Sequence, residues 1–166
     1  MTNGDDPDAG RRGLEVTRVF AAPRELVFRA WTEPERLKRW WGPEGFTTPF
    51  CAVDLREGGV FHYCMRSPEG HDTWGRGVFR EIIVPERLVF VTSFADAEGN
   101  VVPATYYGLG PDWPLESLMS VTFEELSGAT RVAVRLECVP PGPDGDGTRR
   151  GWVEILDGLA EYLAKA

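Results

Sequence analysis

Thr148-Arg149-Arg150-Gly151-Trp152-Val153-Glu154-Ile155-Leu156-Asp157-Gly158-Leu159-Ala160-Glu161-Tyr162-Leu163-Ala164-Lys165-Ala166 is the stretch on which the fold turns. Trp152, Ile155, Leu156, Leu159, Tyr162 and Leu163 recur at helical spacing and share one face, while Glu154, Asp157 and Glu161 point away from it. Gly142, Asp144, Gly145, Asp146 and Gly147 read as the loop before this helix, and Thr148 stands where a residue can cap its first turn. A helix with one apolar face must bury that face, and almost everything upstream reads as strands. The expected class is therefore α+β: a curved antiparallel β-sheet wrapped around a long C-terminal α-helix. Between sheet and helix such a fold holds either a solid core or a cavity, and function turns on which.

The strands are read outward from that helix. Arg131 to Val139 alternates Val132, Val134 and Leu136 with Arg131, Ala133 and Arg135, and Ser127-Gly128 turns it back onto Leu118 to Leu126. Pro85-Glu86 joins Thr73–Val84 to Arg87–Phe94, Pro68-Glu69-Gly70 precedes that pair, and Arg56-Glu57-Gly58-Gly59 joins Phe50–Leu55 to Val60–Arg66. Such short turns predict an antiparallel meander. Asp96 to Pro114 is irregular, broken by glycines and prolines. Leu14 to Phe20 is a first strand whose mixed pattern predicts burial on part of both faces. Two short helices follow it. Pro23 opens the first at the favoured first position, with Leu26, Val27, Ala30 and Trp31 as its stripe. Thr32 caps the second, which runs to about Trp40 and is stopped by Trp41-Gly42-Pro43. Residues 1–13 are Asp-, Gly- and Arg-rich and read as a disordered tail, leaving 14–166 as a single domain.

Composition narrows the function. The chain has 166 residues, 42% hydrophobic and 27% charged, which suits one globular domain with a real core. A net charge of −8 argues against nucleic acid and against an anionic membrane surface as partners. No apolar run is long enough to span a bilayer and no signal-peptide core is present, so the expected location is the cytoplasm. Three cysteines and two histidines, without CxxC or HxxxH spacing, make no disulfide framework or zinc site, and no cofactor is expected. Glu57, Glu81, His62, His71 and Asp54 are scattered, with no spacing that demands acid–base work, and neither a phosphate-cradling loop nor a GxSxG elbow occurs. No residue is assigned a catalytic role.

The six tryptophans and nine phenylalanines are the informative residues. Phe61, Tyr63 and Met65 share one face of a strand, with His62 and Cys64 on the other. Leu88, Phe90, Thr92 and Phe94 share a face, as do Met119, Val121 and Phe123. With Trp152 and Leu156 from the helix, these sets can line a pocket. Trp40 and Trp41 stand where the short helices meet the sheet, and Trp113 lies in the long loop that can face them. The candidate ligand-binding set is Trp40, Trp41, Phe61, Tyr63, Met65, Phe79, Phe90, Phe94, Trp113, Met119, Phe123, Trp152 and Leu156. The same residues also read as the filling of a solid core. Cys51 faces Cys64 if Glu57-Gly58 are the central turn residues, and Arg66 if Gly58-Gly59 are. The first register makes a thiol pair that can be redox-active or hold a metal; otherwise both are small buried hydrophobes.

Ala30-Trp31-Thr32-Glu33-Pro34-Glu35-Arg36-Leu37-Lys38-Arg39-Trp40-Trp41-Gly42-Pro43 resembles the signature of the activator of heat-shock protein 90 ATPase homologues, within the START and Bet v 1-like superfamily. The hairpin Val53 to Gly59, the turn Pro85 to Phe90, Val121-Thr122-Phe123, Thr130-Arg131-Val132, Gly151-Trp152 and Leu156-Asp157-Gly158-Leu159 match further family motifs in order, so the resemblance runs from about Leu14 to Ala164. It implies a helix-grip fold, often with a cavity between sheet and helix. It implies no catalytic residue, because the superfamily includes lipid and steroid carriers, polyketide cyclases, hormone receptors and co-chaperone domains. Two features depart from the family pattern: the long aromatic segment Asp96 to Pro114, with Tyr106, Tyr107 and Trp113, and Glu57 where the family often has proline.

Three functions are consistent with this reading. The first is non-enzymatic binding of a small hydrophobic or aromatic molecule. The second is a polyketide cyclase- or hydrolase-like enzyme using the same cavity, with His62 or a tyrosine as the polar group. The third is a co-chaperone-like interaction module acting through exposed surface such as the acidic face of the last helix. It ranks last, because the resemblance implies a further N-terminal domain in the co-chaperone that this sequence does not show. The ligand is not identified at this level, and oligomeric state, a homodimer included, stays open.

Overall fold

Hairpins with short turns build a single sheet. The computed structural model describes residues 13–140 and 142–165; the expected tail lies outside them, except for Gly13. The strands are β1 (Leu14–Phe20), β2 (Thr47–Val53), β3 (Val60–Arg66), β4 (Asp72–Ile83), β5 (Arg87–Ala95), β6 (Val101–Val102), β7 (Ser117–Leu126) and β8 (Ala129–Leu136). Helices α1 (Arg24–Thr32) and α2 (Pro34–Leu37) follow β1, a 3-10 turn covers Ala104–Tyr107, and α3 (Pro143–Lys165) closes the chain. All pairings are antiparallel, in the order β1-β8-β7-β5-β4-β3-β2, with β6 on β5. The first strand thus pairs with the last, and α1 and α2 carry the chain from one edge of the sheet to the other. The sheet curls, and α3 lies across its concave side with Trp152, Ile155, Leu156 and Leu159 buried. This is the α+β helix-grip architecture expected from the sequence.

Four details differ from the sequence reading, each for a physical reason. Helix α3 starts at Pro143, five residues before Thr148. Proline presets φ at a first helical position, and Asp144 and Asp146 favour the positive end of the helix. Gly145 lets the Pro140 carbonyl approach so closely that a Cβ there would lie 2.2 Å from it. Thr148 is therefore interior, and its hydroxyl donates to the Asp144 carbonyl at 2.9 Å instead of capping the helix.

Strand β1 is buried on one face only. Leu14, Val16 and Phe20 are inside while Glu15, Thr17 and Val19 are exposed, because an edge strand has only the concave side covered. At the two short helices, Pro23 is the N-cap of α1 and not its first helical residue. Thr32 ends α1, donating to the Phe28 carbonyl at 3.0 Å, and Glu33 occupies the N-cap of α2, which stops at Leu37.

The β2–β3 hairpin takes neither expected register. Cys51 pairs with Tyr63, Ala52 with His62, and Phe50 with Cys64. The turn is longer than two residues because it is pinned to β4: Gly58 N–H donates to the Phe79 carbonyl at 2.8 Å, and Phe79 N–H donates to the Gly59 carbonyl at 3.0 Å. A slip relative to the first expected register places Cys51 and Cys64 on opposite faces of the sheet, which removes the thiol-pair reading.

Candidate ligand cavity

The concave side is filled unevenly, and tryptophans mark the divide. Trp31 of α1 stacks on Trp152 of α3 with ring centroids 6.1 Å apart, and Phe28 meets Phe123 edge-on at 5.2 Å. The Trp40 ring lies 4.9 Å from Trp31, and its indole N–H donates to the Ala30 carbonyl at 3.0 Å. Trp41 stands next, 5.7 Å from Trp31 on one side, with Phe61 and Tyr63 each 5.4 Å away on another. Beyond Trp41 lies a partly enclosed cavity of about 210 Å³.

Strand β4 makes this space possible. Gly75 and Gly77 alternate on its concave face, where a Cβ would meet the Tyr63 hydroxyl at 2.3 Å and the Phe90 ring at 2.7 Å. Their bare backbone lets the neighbouring rings lie down on the strand and leaves a hollow above it. Register fixes who borders it: Gly75 sits between Tyr63 and Phe94, and Gly77 between Phe61 and Thr92. The long loop covers one end with Trp113 and Pro114, the Trp113 ring lying 5.8 Å from Phe94. Tyr107 fastens that loop, because its hydroxyl accepts from Trp74 N–H and donates to the Ala95 carbonyl where β4 and β5 part. Helix α3 contributes Thr148, Trp152 and Ile155.

Of the sequence-predicted residues, Trp41, Phe61, Tyr63, Met65, Phe90, Phe94, Trp113, Met119 and Trp152 come together around the cavity. Trp40, Phe79, Phe123 and Leu156 do not border it. They belong to the buried core, and Phe123 and Leu156 are each 1% exposed. Sequence reasoning missed Ile155, Leu136, Cys138, Ser117 and Thr148. Ile155 was on the apolar stripe and carried the signal; Cys138 and Thr148 flank an expected loop and carried none.

The cavity wall is predominantly apolar, and among the described residues no aspartate, glutamate, histidine or lysine borders it. Burial pushes the Tyr63 phenol up to about 12, so it stays neutral at physiological pH. His62 is on the opposite face of the sheet, its ring 5.0 Å from Trp74 and its Nε2 3.1 Å from the Asp96 carbonyl oxygen. Burial holds the Cys51 thiol near 12 and the Cys64 thiol near 11. Glu81 is paired with Arg87 and Asp54 with Arg56 at the surface. Among the described residues no cluster of metal-ligating side chains occurs, and no helix is long and apolar enough to cross a membrane. A second hollow of about 330 Å³ lies between residues 38–47 and Glu154, Asp157 and Glu161 on the outward face of α3. It is larger but lined mainly by charged and backbone groups, so it lacks the apolar wall of a small-molecule site.

Comparison with known proteins agrees with this architecture. Residues 21–164 match the family model described as Activator of Hsp90 ATPase homolog 1-like protein. A solved protein from Nitrosomonas europaea is 28% identical with a TM-score of 0.75, over 93% of this chain and 95% of that one. One from Chromobacterium violaceum is 26% identical with a TM-score of 0.72, over 90% and 95%. A Silicibacter pomeroyi protein that carries the family's name is 26% identical with a TM-score of 0.68, over 92% and 97%. No curated protein matches. The matched span takes in both short helices, strands β2 to β8 and all of α3 but its last residue, so the chain belongs to the Activator of Hsp90 ATPase homolog 1-like family.

Proposed function

We propose that the protein binds a small apolar or aromatic molecule, without transforming it, in the cavity between α3 and the β3–β4–β5 part of the sheet. The observation that carries this reading is a cavity of about 210 Å³ walled largely by aromatic and methionine side chains, with no carboxylate or imidazole on its border among the described residues. A cyclase- or hydrolase-like reaction needs a group that exchanges protons near neutral pH. His62 is turned to the other side of the sheet, and Tyr63 holds its proton. The co-chaperone-like reading is weaker still, because two acidic groups of α3 are engaged within the chain. Glu154 accepts the Glu44 N–H, and Asp157 pairs with Arg18. We place this activity in the cytoplasm.

A thermal-shift panel of neutral compounds from one ring to steroid size tests the reading. A ligand present at a hundred times its Kd stabilises by about 2.7 kcal/mol, enough for a clear rise in Tm. Thr92→Trp, which would fill the hollow, should abolish the rise. A panel without any shift, or shifts that survive Thr92→Trp, would overturn the proposal.

A further inference from the structure

The wall of the cavity constrains what fits it. An engineered apolar cavity of roughly 150 Å³ holds benzene; one of about 210 Å³ has room for one to two fused rings and not for a steroid without rearrangement. Gly75 and Gly77 let the Tyr63 and Phe90 rings lie down on β4, so the floor of the cavity is a layer of aromatic rings, which favours a flat occupant. Charge is also restricted. The one cationic side chain on the border among the described residues, Arg76, has an outward register position opposite His62 and Ser93, and its guanidinium donates to the Gly99 carbonyl at 2.7 Å. A charged ligand would enter without a counter-ion, which is costly.

The polar groups lean towards donors. Ser117 is engaged with the Cys138 backbone and Thr148 with the Asp144 carbonyl. The Tyr63 hydroxyl, lying directly over Gly75, has no hydrogen-bond partner among the described residues. Tyr63 is partly exposed and borders the cavity, and its hydroxyl is not one of the fully buried polar atoms without a partner. The indole N–H groups of Trp41 and Trp113 also have no acceptor. A donor on the cavity wall without a protein partner gains a hydrogen bond when a ligand brings an acceptor to it.

We infer that the ligand is an uncharged, flat, one- to two-ring aromatic compound bearing a carbonyl or similar oxygen, which lies above the rings that cover Gly75 and Gly77 and accepts a hydrogen bond from the Tyr63 hydroxyl. This inference rests on the cavity-binding reading above. It makes Tyr63 the residue that sets specificity, while the aromatic wall supplies affinity without discrimination.

Calorimetric titration with three matched probes tests it: 1-indanone, indane and indane-1-carboxylate. The wild type should bind both neutral probes and reject the carboxylate. Tyr63→Phe should weaken 1-indanone about tenfold, in line with loss of one hydrogen bond, and leave indane unchanged. A second readout needs no variant: the infrared carbonyl band of bound 1-indanone should lie below its position in hexane. If neither neutral probe binds the wild type, the cavity reading itself fails. If both bind but Tyr63→Phe treats them alike, or the bound carbonyl absorbs as in hexane, or the carboxylate binds as tightly, only the Tyr63 inference falls.

Discussion

Two halves of one groove are covered by the same helix and end differently. On one side of Trp41 the concave surface is filled: α1 brings Phe28 and Trp31 against Phe123, and Leu156 and Leu159 of α3 have almost no exposed surface. On the other side no helix is inserted. Two glycines of β4 lower the floor, and the roof is Trp152, Ile155 and a loop carrying Trp113. The apolar stripe of α3 is continuous across both. The difference lies in what faces it, so an amphipathic helix by itself does not tell a core from a binding site. Side-chain volume on the opposing strands decides, and here glycine at 75 and 77 decides for a cavity.

The contrast breaks most visibly in the filled half. Leu159→Ala should lower stability by about 3 kcal/mol, because a fully buried leucine leaves a void that its neighbours cannot close. Urea denaturation measures this, and a loss under about 1 kcal/mol would mean that the packing there is loose. The next effect belongs to the floor of the hollow half. Gly75→Ala must displace the Tyr63 ring, costing roughly 2 kcal/mol and reducing ligand affinity together. A variant of unchanged stability and affinity would remove the glycine strip from the account.

Enlargement sharpens the comparison by sign. Thr92→Leu puts added methyl groups into empty space and should raise stability by about 1 kcal/mol while weakening ligand binding. Val132→Leu, in the filled half where Val132 has no exposed surface, should destabilise by about 1 to 2 kcal/mol. Equal signs in thermal unfolding would contradict the division into halves.

How far the sequence foretold this varies by element. The stripe of α3 and the alternation of Phe61, Tyr63 and Met65 needed only periodicity, and the part of the cavity wall made by these three residues with Trp152 and Ile155 follows from them. The start of α3 was hidden because Gly145 and Gly147 read as loop, whereas Gly145 serves a close approach of the Pro140 carbonyl. The β2–β3 register was hidden because the turn is fixed by Phe79 of β4, a contact that no local pattern encodes. The split between Phe61 and Phe123 was invisible for a similar reason. Both alternate on inward faces, but only the fold shows that α1 fills the space beside Phe123.

The smallest predicted effect is a pH dependence. Cys51, Cys64 and Tyr63 hold their protons more tightly when folded than their usual values of 9.0, 9.0 and 10.0 allow. The unfolded chain therefore ionises first. Stability from these groups is complete below about pH 9 and declines as pH rises through about 11 to 12. Urea midpoints should fall over this alkaline range, less steeply in Cys51→Ala, and native thiol titration at pH 8 should find Cys51 and Cys64 slow to react. A midpoint that rises between pH 9 and 11 would reverse the assigned sign.

The central claim is that a small molecule enters the hollow half and not the rest of the protein. The most direct measurement follows the indole N–H signals of the six tryptophans by nuclear magnetic resonance while 1-indanone is added. The account predicts saturable shifts at Trp41, Trp113 and Trp152, which border the cavity, and none at Trp74, whose ring lies with His62 on the convex side. Shifts that are confined to Trp74, or that never saturate at any tryptophan, would contradict it.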